Sequence, residues 1–408
     1  MVITMSPVTA RPCSLVIRRF AVAAVSLLVA TLTATAVAEP AGAMNKHVSV
    51  CGPPAAGKAQ CHADVVVDAS GAPLVTPGPV GLAPSDLQAA YRLPSATGGA
   101  GQMVAVVAAY DSPNAESDLA VYRSQFGLPS CTTANGCFRK LDQKGGTKYP
   151  QADGHWAQEI SMDLDMASAA CPNCKLLLVE AASNSYADLG AAVDRAASLG
   201  ADAISNSYGG PEFSTETANK YDGHYNHPGV AITASSGDAG YGPQFPAASA
   251  HVISVGGTSL VPDSTVPRGF RETAWAGGGS GCSSYVAKPT WQHDAACPRR
   301  TIADIAAVAD PSTGVAAYDS YPYQGRSGWL TMGGTSAAAP IVAAIYALAG
   351  NTAALNPPDA ASLYSHPESL FDVVAGANGS CAGSYLCTAG VGYDGPTGLG
   401  TPNGTAAF

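Results

Sequence analysis

Five short apolar runs constrain the fold of this chain more than any other feature: MVAVVAAY (103–110), KLLLVEA (175–181), DAISNSY (202–208), GVAITAS (229–235) and HVISVGG (251–257). Each has the length and composition of a buried strand. Helical spacing lies among them, over Trp156 to Ala170 and Tyr186 to Leu199, and a near-continuous apolar helix is predicted from Ser336 to Ala349, ending at Gly350. Strands alternating with helices imply an α/β architecture, a parallel sheet covered on both faces. No repeat or linker interrupts the pattern, so residues 85–408 are expected to form one large domain. Catalytic groups in such sheets collect at the carboxyl ends of the strands.

The N-terminus has a different character. Arg18 and Arg19 precede the run FAVAAVSLLVATLTATA, and Ala36-Val37-Ala38 follows it. A basic region, an apolar region and an A-x-A site read as a signal peptide over residues 1–38, so a secreted, extracellular protein with no membrane association after cleavage is expected. Residues 39–84 carry prolines, glycines and little periodicity, and read as a short extension or pro-segment. Loss of Arg11, Arg18 and Arg19 makes the net charge of −10 more negative by three. That balance excludes a nucleic-acid partner, whose binding depends on basic side chains neutralising phosphates.

Cys13 lies in the signal segment, which leaves ten cysteines. An even count in an exported chain predicts disulfides, here between sequence neighbours: 51/61, 131/137, 171/174, 282/297 and 381/387. The Cys171-Pro172-Asn173-Cys174 stretch has no second CxxC and no paired histidines, so a loop clip is expected there in place of a zinc or redox site.

Three stretches could carry chemistry. In GGTSAAAP (333–340), Ser336 stands where a glycine-rich turn becomes a helix. It reads either as a helix N-cap or as a nucleophile, and a nucleophile needs a partner to take its proton. In the helix after Gly154, Glu159 and Asp163 are spaced i and i+4 and share a face. Buried there, the two carboxyls would have to share a proton; exposed, they would merely offset the helix dipole. Asp165, two residues on, reads as a surface acid. The turn ASSGDAG (234–240) presents Asp238 just after a buried strand, where it either serves a site or caps its own backbone. His155 is the rival base, and a histidine-based triad hangs on it alone.

Taken together, GGTSAAAP, the Glu159/Asp163 pair and the turn ending at Asp238 resemble the sedolisin family of serine-carboxyl peptidases. The resemblance extends from about Ala83 to Phe408 through APSDLQAAYRLP, SNSYGG (205–210), FPAASAHVISVGGT (245–258), ETAWAGGGSGCSS (272–284) and TPNG. It implies a subtilisin-like three-layer fold, with a central mostly parallel sheet flanked by helices. It also implies Ser336 as nucleophile, Glu159 as general base, Asp163 as the group that orients and shares a proton with Glu159, and Asp238 as a protonated oxyanion donor. A subtilisin's first strand ends in the triad aspartate, whereas Ala108 stands at that place here.

A carboxylate base works where it is ionised and a carboxylic donor where it is not, so an acidic optimum is expected. Near the C-terminus, FDV (371–373) and AGVGYD (389–394) resemble the family's calcium loop. One structural Ca2+ is thereby implied, held by Asp372 and Asp394 with carbonyls of Val373, Gly390 and Gly392. The resemblance also implies a large pro-domain, whereas residues 39–84 alone separate signal and domain here. The expectation is a monomeric endopeptidase acting on proteins or peptides. The competing readings are a non-catalytic binding homologue and a His155-dependent subtilisin-like peptidase.

Overall fold

The predicted apolar runs form the middle of one sheet, extended by strands whose sequences announce themselves less clearly. The computed structural model describes residues 46–354 and 360–408. The expected signal segment, with Cys13 and the cleavage site, and the first part of the expected extension lie outside the described residues.

The central sheet comprises β1 (Met103–Ala109), β2 (Phe138–Asp142), β3 (Lys175–Ala181), β4 (Ala203–Asn206), β5 (Ala231–Ser235), β6 (Ile253–Pro262), β7 (Phe270–Ala274) and β8 (Ile305–Val308). Its order is β7-β6-β5-β4-β1-β3-β2, and β8 also pairs with β6. All pairings are parallel except that of β6 with β7. Strands buried on both faces need no polar alternation, which is why β1 reads V-A-V-V-A-A with every residue after Met103 buried.

The helices are α1 (Pro84–Ala90), α2 (Ala115–Gln125), α3 (Gly154–Ala170), α4 (Tyr186–Ser198) and α5 (Thr335–Ala349), besides a short turn of helix over Ala361–Ser365. Asp153 caps α3, its Oδ1 accepting the amides of His155 at 3.0 Å and Trp156 at 3.1 Å, so the helix begins two residues before the predicted Trp156. α3 packs against α5, and α4 packs against β1 and β3. Every residue of α3 from Trp156 to Ala170 is buried. Truncating the fully buried Ile160 of α3 to alanine would cost about 2–5 kcal/mol.

Two sequence expectations change here. Asp165 is not a surface acid: it is 1% exposed, and its Oδ2 accepts the amide of Tyr318 at 2.9 Å. The hairpin of strands Val315–Tyr323 and Arg326–Gly333 supplies that donor and packs against α3, so the helix has no solvent-facing side there. The described part of the expected extension is also no appendage. His47–Ser49 pairs with Asp64–Val66, and Asp64–Val66 continues the sheet of that hairpin by pairing with Met332 and Gly333. Gln60–Cys61 pairs with Tyr208–Pro211. All five expected cysteine couples are disulfide-bonded.

Candidate active site

Ser336 is the second residue of α5, and Gly334 is the N-cap. Its hydroxyl caps nothing, which removes the N-cap reading. Its amide is one of the helix-start donors that find no acceptor within the helix and goes instead to the carbonyl oxygen of His62, while the hydroxyl is turned towards α3. Ser336 Oγ lies 2.9 Å from Glu159 Oε2 and 3.1 Å from the carbonyl oxygen of Ser207, the residue that follows β4. All of these side chains are buried.

The i, i+4 spacing places Asp163 one turn beyond Glu159 on the same face of α3. Asp163 Oδ1 accepts the Ser207 hydroxyl at 2.6 Å. The remaining oxygens, Glu159 Oε1 and Asp163 Oδ2, find no N–H or hydroxyl donor. The two buried carboxyls influence each other's protonation, so they cannot both be ionised without cost. Burial holds both well above the ordinary carboxyl range, and for Glu159 the charge of Asp163 adds to it. The two carboxyls therefore titrate as a coupled pair with a raised affinity for protons.

Asp238 sits three residues beyond β5. Its Oδ1 accepts the amide and hydroxyl of Thr335, each at 2.8 Å, while Oδ2 has no donor. Burial, then the nearby Asp64, pushes it well above the ordinary range, so it is a carboxylic acid with a proton to donate. Gly334 makes room for that proton. Its φ is +90°, and a Cβ there would stand 2.6 Å from Asp238 Oδ2 and 2.0 Å from the carbonyl oxygen of His62. The Ser336 amide donates to that same His62 oxygen at 3.1 Å. An amide and a neutral carboxyl thus converge beside the nucleophile, the arrangement that stabilises a developing oxyanion.

His155 takes no part. It is exposed, its Nδ1 lies 3.3 Å from Asp153 Oδ1, and its ring stands against Tyr323. The sequence reading weighed no role for His62 or Ser207. The first belongs to a stretch read as an extension, and its only local signal was the run A-D-V-V-V from Ala63 to Val67, an extended β-forming sequence.

The C-terminal loop brings Asp372 and Asp394 together. Asp372 Oδ2 accepts the Gly392 amide and Asp394 Oδ2 the Gly390 amide, both at 2.9 Å, and Asp394 Oδ1 takes the amide and hydroxyl of Thr397. Burial, with Asp372 beside it, pushes Asp394 up to about 7. Among the described residues no cluster of three or more His, Cys, Asp or Glu side chains is placed to hold a metal ion. Two neighbouring carboxylates on a glycine-spaced loop, one of them buried, are nonetheless a hard-oxygen donor set that a calcium ion suits once backbone carbonyls complete it.

The subtilase family profile matches residues 148–365, which include Ser336, Glu159, Asp163 and Asp238. The chain belongs to the subtilase family. Within it, the chain is of the sedolisin type, a group of serine-type peptidases. It is 31% identical over 368 residues to kumamolisin from Bacillus sp. (strain MN-32), covering 80% of this chain and 63% of the relative. To sedolisin from Pseudomonas sp. (strain 101) it is 35% identical over 205 residues, 42% of this chain and 33% of the relative. The chain thus spans less than two thirds of the length of these relatives. The structure of Pseudomonas sedolisin, a serine-carboxyl proteinase complexed with two molecules of pseudo-iodotyrostatin, superposes with a TM-score of 0.66 at 26% identity, covering 80% of this chain and 96% of that one. The expected fold, a central mostly parallel sheet flanked by helices, is the one found.

Proposed function

We propose that the chain is an exported, monomeric serine-carboxyl endopeptidase that hydrolyses peptide bonds in proteins at acidic pH. The observation that carries this reading is the bond from Ser336 Oγ to Glu159 Oε2 at 2.9 Å, with no histidine in the base's place among the described residues. Glu159 takes the hydroxyl proton as Ser336 attacks the substrate carbonyl carbon. Asp163, sharing one proton with Glu159, fixes the carboxylate and spreads the arriving charge. The Ser336 amide and the protonated Asp238 receive the oxyanion. Glu159 then returns its proton to the leaving amine, and water repeats the sequence on the acyl ester.

Two requirements bound the working pH. The Glu159–Asp163 pair must hold one proton and not two, and Asp238 must hold its own. Both carry raised affinities for protons, so activity is bounded by the pair on the acid side and by loss of the Asp238 proton as pH rises.

Export rests on the basic-apolar-AxA pattern of residues 1–38; among the described residues no helix is long and apolar enough to cross a membrane. A structural Ca2+ would be held by Asp372 and Asp394 with carbonyls of Val373, Gly390 and Gly392, and its charge would tie the C-terminal loop together. The test is cleavage of an unfolded protein from about pH 3 to 8 by wild type, Ser336→Ala, Glu159→Gln and His155→Ala. Loss in the first two variants with His155→Ala active is expected. A wild type that cleaves nothing, or a His155→Ala that alone is dead, would sink the reading.

A further inference from the structure

A strand of the chain's own lies beside Ser336 and marks how an extended peptide sits there. Ala59 donates its amide to the Asn184 carbonyl at 2.8 Å, Gln60 and Cys61 pair antiparallel with Gly209 and Tyr208, and His62 donates its amide to the Ser207 carbonyl at 3.2 Å. Main-chain bonds of this kind hold any sequence. They fix the direction of a bound peptide and leave the choice of residue to side-chain pockets. The His62 carbonyl oxygen takes the Ser336 amide at 3.1 Å. The residue at that place is thus the one whose carbonyl faces the nucleophile, and the pocket around the His62 ring is the pocket that reads it.

That pocket matches an imidazole atom for atom. The residue filling it is 1% exposed. Its Nε2 lies 2.9 Å from Gln244 Oε1, which can only accept, so Nε2 carries the hydrogen and Nδ1 accepts from the Ser235 hydroxyl at 2.7 Å. Ser235 ends β5 and is fully buried, while Gln244 is held by the pairing of Gln244–Phe245 with Gly210 and Pro211. Two glycines make the room. A Cβ on Gly209 would stand 2.8 Å from Cε1 of the ring, and one on Gly237, whose φ is +114°, would stand 2.5 Å from Gln244 Nε2. An aliphatic or phenyl side chain in the same space would leave the Ser235 hydroxyl and the Gln244 carbonyl facing nothing polar, a cost that a histidine avoids.

We propose that this pocket makes histidine the preferred residue on the acyl side of the bond the enzyme cuts, with Ser235 and Gln244 as the residues that select it. The inference rests on the serine-carboxyl peptidase reading above and narrows its substrates to proteins and peptides with an accessible histidine. The chemistry at Ser336 is unchanged.

The ring's state adds a signature. Burial lowers the His62 imidazole to about 4, so the pocket holds the neutral ring, whereas a histidine in a free peptide takes up its proton below about pH 6.5. A histidine substrate must shed that proton to enter. Its advantage over an uncharged side chain therefore narrows as pH falls from about 6.5 towards 4.

The test is kcat/KM of the purified full chain, between about pH 4 and 6.5, on peptides that differ only in the residue on the acyl side: histidine, leucine, phenylalanine and Nε2-methylhistidine. The histidine peptide is expected to lead the other three by about tenfold or more at the top of that range, with the gap closing towards pH 4. The methyl group removes the hydrogen that Gln244 accepts, and the phenylalanine peptide controls for bulk. In Gln244→Leu the preference is expected to reverse, the leucine peptide being cut faster than the histidine one. Equal kcat/KM for the histidine, leucine and phenylalanine peptides in the wild type overturns this inference and leaves the peptidase reading standing. So does a Gln244→Leu variant that still prefers histidine. A wild type that cuts none of the peptides overturns both.

Discussion

Ser336 and Glu159, 177 residues apart in the chain, meet hydroxyl to carboxylate at 2.9 Å across two helices, and in the proposed mechanism that contact takes the place of the serine–histidine pair of an ordinary triad. Replacing Glu159 by glutamine keeps the shape of the side chain and removes its basicity. A loss of about a hundred- to ten-thousand-fold in kcat is expected, with KM little changed, because proton transfer is needed only in the transition state. Steady-state kinetics on a peptide substrate at the pH of greatest wild-type activity measures both. His155→Ala, whose ring pairs with Asp153 at the surface, should leave kcat within about twofold.

Asp238 is useful as a donor only while protonated, and burial beside Asp64 keeps it so to a pH well above that of a free carboxyl. Asparagine at this position offers an N–H donor at every pH. The Asp238→Asn variant is therefore expected to keep the acidic limb of its kcat/KM profile, which belongs to the Glu159–Asp163 pair, and to shift its alkaline limb upward. Asp238→Ala, lacking any donor, should lose about a hundred- to a thousandfold at every pH. Parallel alkaline limbs in wild type and Asp238→Asn would show that Asp238 does not set that limit.

The parts of this arrangement that could be read from the sequence are those encoded locally. Strand runs with apolar residues on both faces, the i, i+4 carboxyls of α3 and the turn-to-helix step at Gly334 each carry their signal within a few residues. What escaped was encoded at long range. Asp165 is turned inward by a hairpin 150 residues further along, and helix spacing alone cannot say that every side of α3 is covered. The segment around His62 forms strands where Tyr208–Pro211 and Arg326–Gly333 offer their edges, partners too distant in sequence to show in a stretch read as a short extension. The predicted strand over 202–208 breaks after Asn206 for a related reason: Ser207 leaves the sheet to give its carbonyl to Ser336 and its hydroxyl to Asp163.

The fold should be most stable in acid. Burial raises Glu180 to about 8, Asp319 to about 7 and Glu216 to about 9, against ordinary values of 3.8 for aspartate and 4.5 for glutamate. Each raised acid holds a proton in the folded chain that the unfolded chain has already released. Unfolding above about pH 4 therefore releases protons, and stability falls as pH rises. The contribution is whole below about pH 4 and is lost as pH climbs through 7 to 9. Melting of Ser336→Ala, which cannot digest itself, should give a Tm that declines steadily between about pH 4 and 9. A Tm that rises over that interval would show that these acids are ionised in the folded protein.

The C-terminal loop gives the last expectation. Asp372 and Asp394 repel each other with only backbone amides and the Thr397 amide and hydroxyl to balance them, and a bound calcium would turn that repulsion into a crosslink. A ligand that binds only the folded state stabilises it by an amount that grows with its concentration, about 2.7 kcal/mol at a hundred times its Kd. Near neutral pH, where Asp394, pushed up to about 7, can ionise, added calcium is expected to raise the Tm of Ser336→Ala and a chelator to lower it. In Asp372→Asn and Asp394→Asn the response should shrink or vanish, and isothermal titration should show the same loss of binding. Asp394→Asn relieves the repulsion but turns an NH2 towards a backbone amide that a carboxylate oxygen had accepted, so Asp372→Asn is the cleaner of the two variants for reading calcium dependence. A Tm of Ser336→Ala indifferent to both calcium and chelator would remove the ion from this loop.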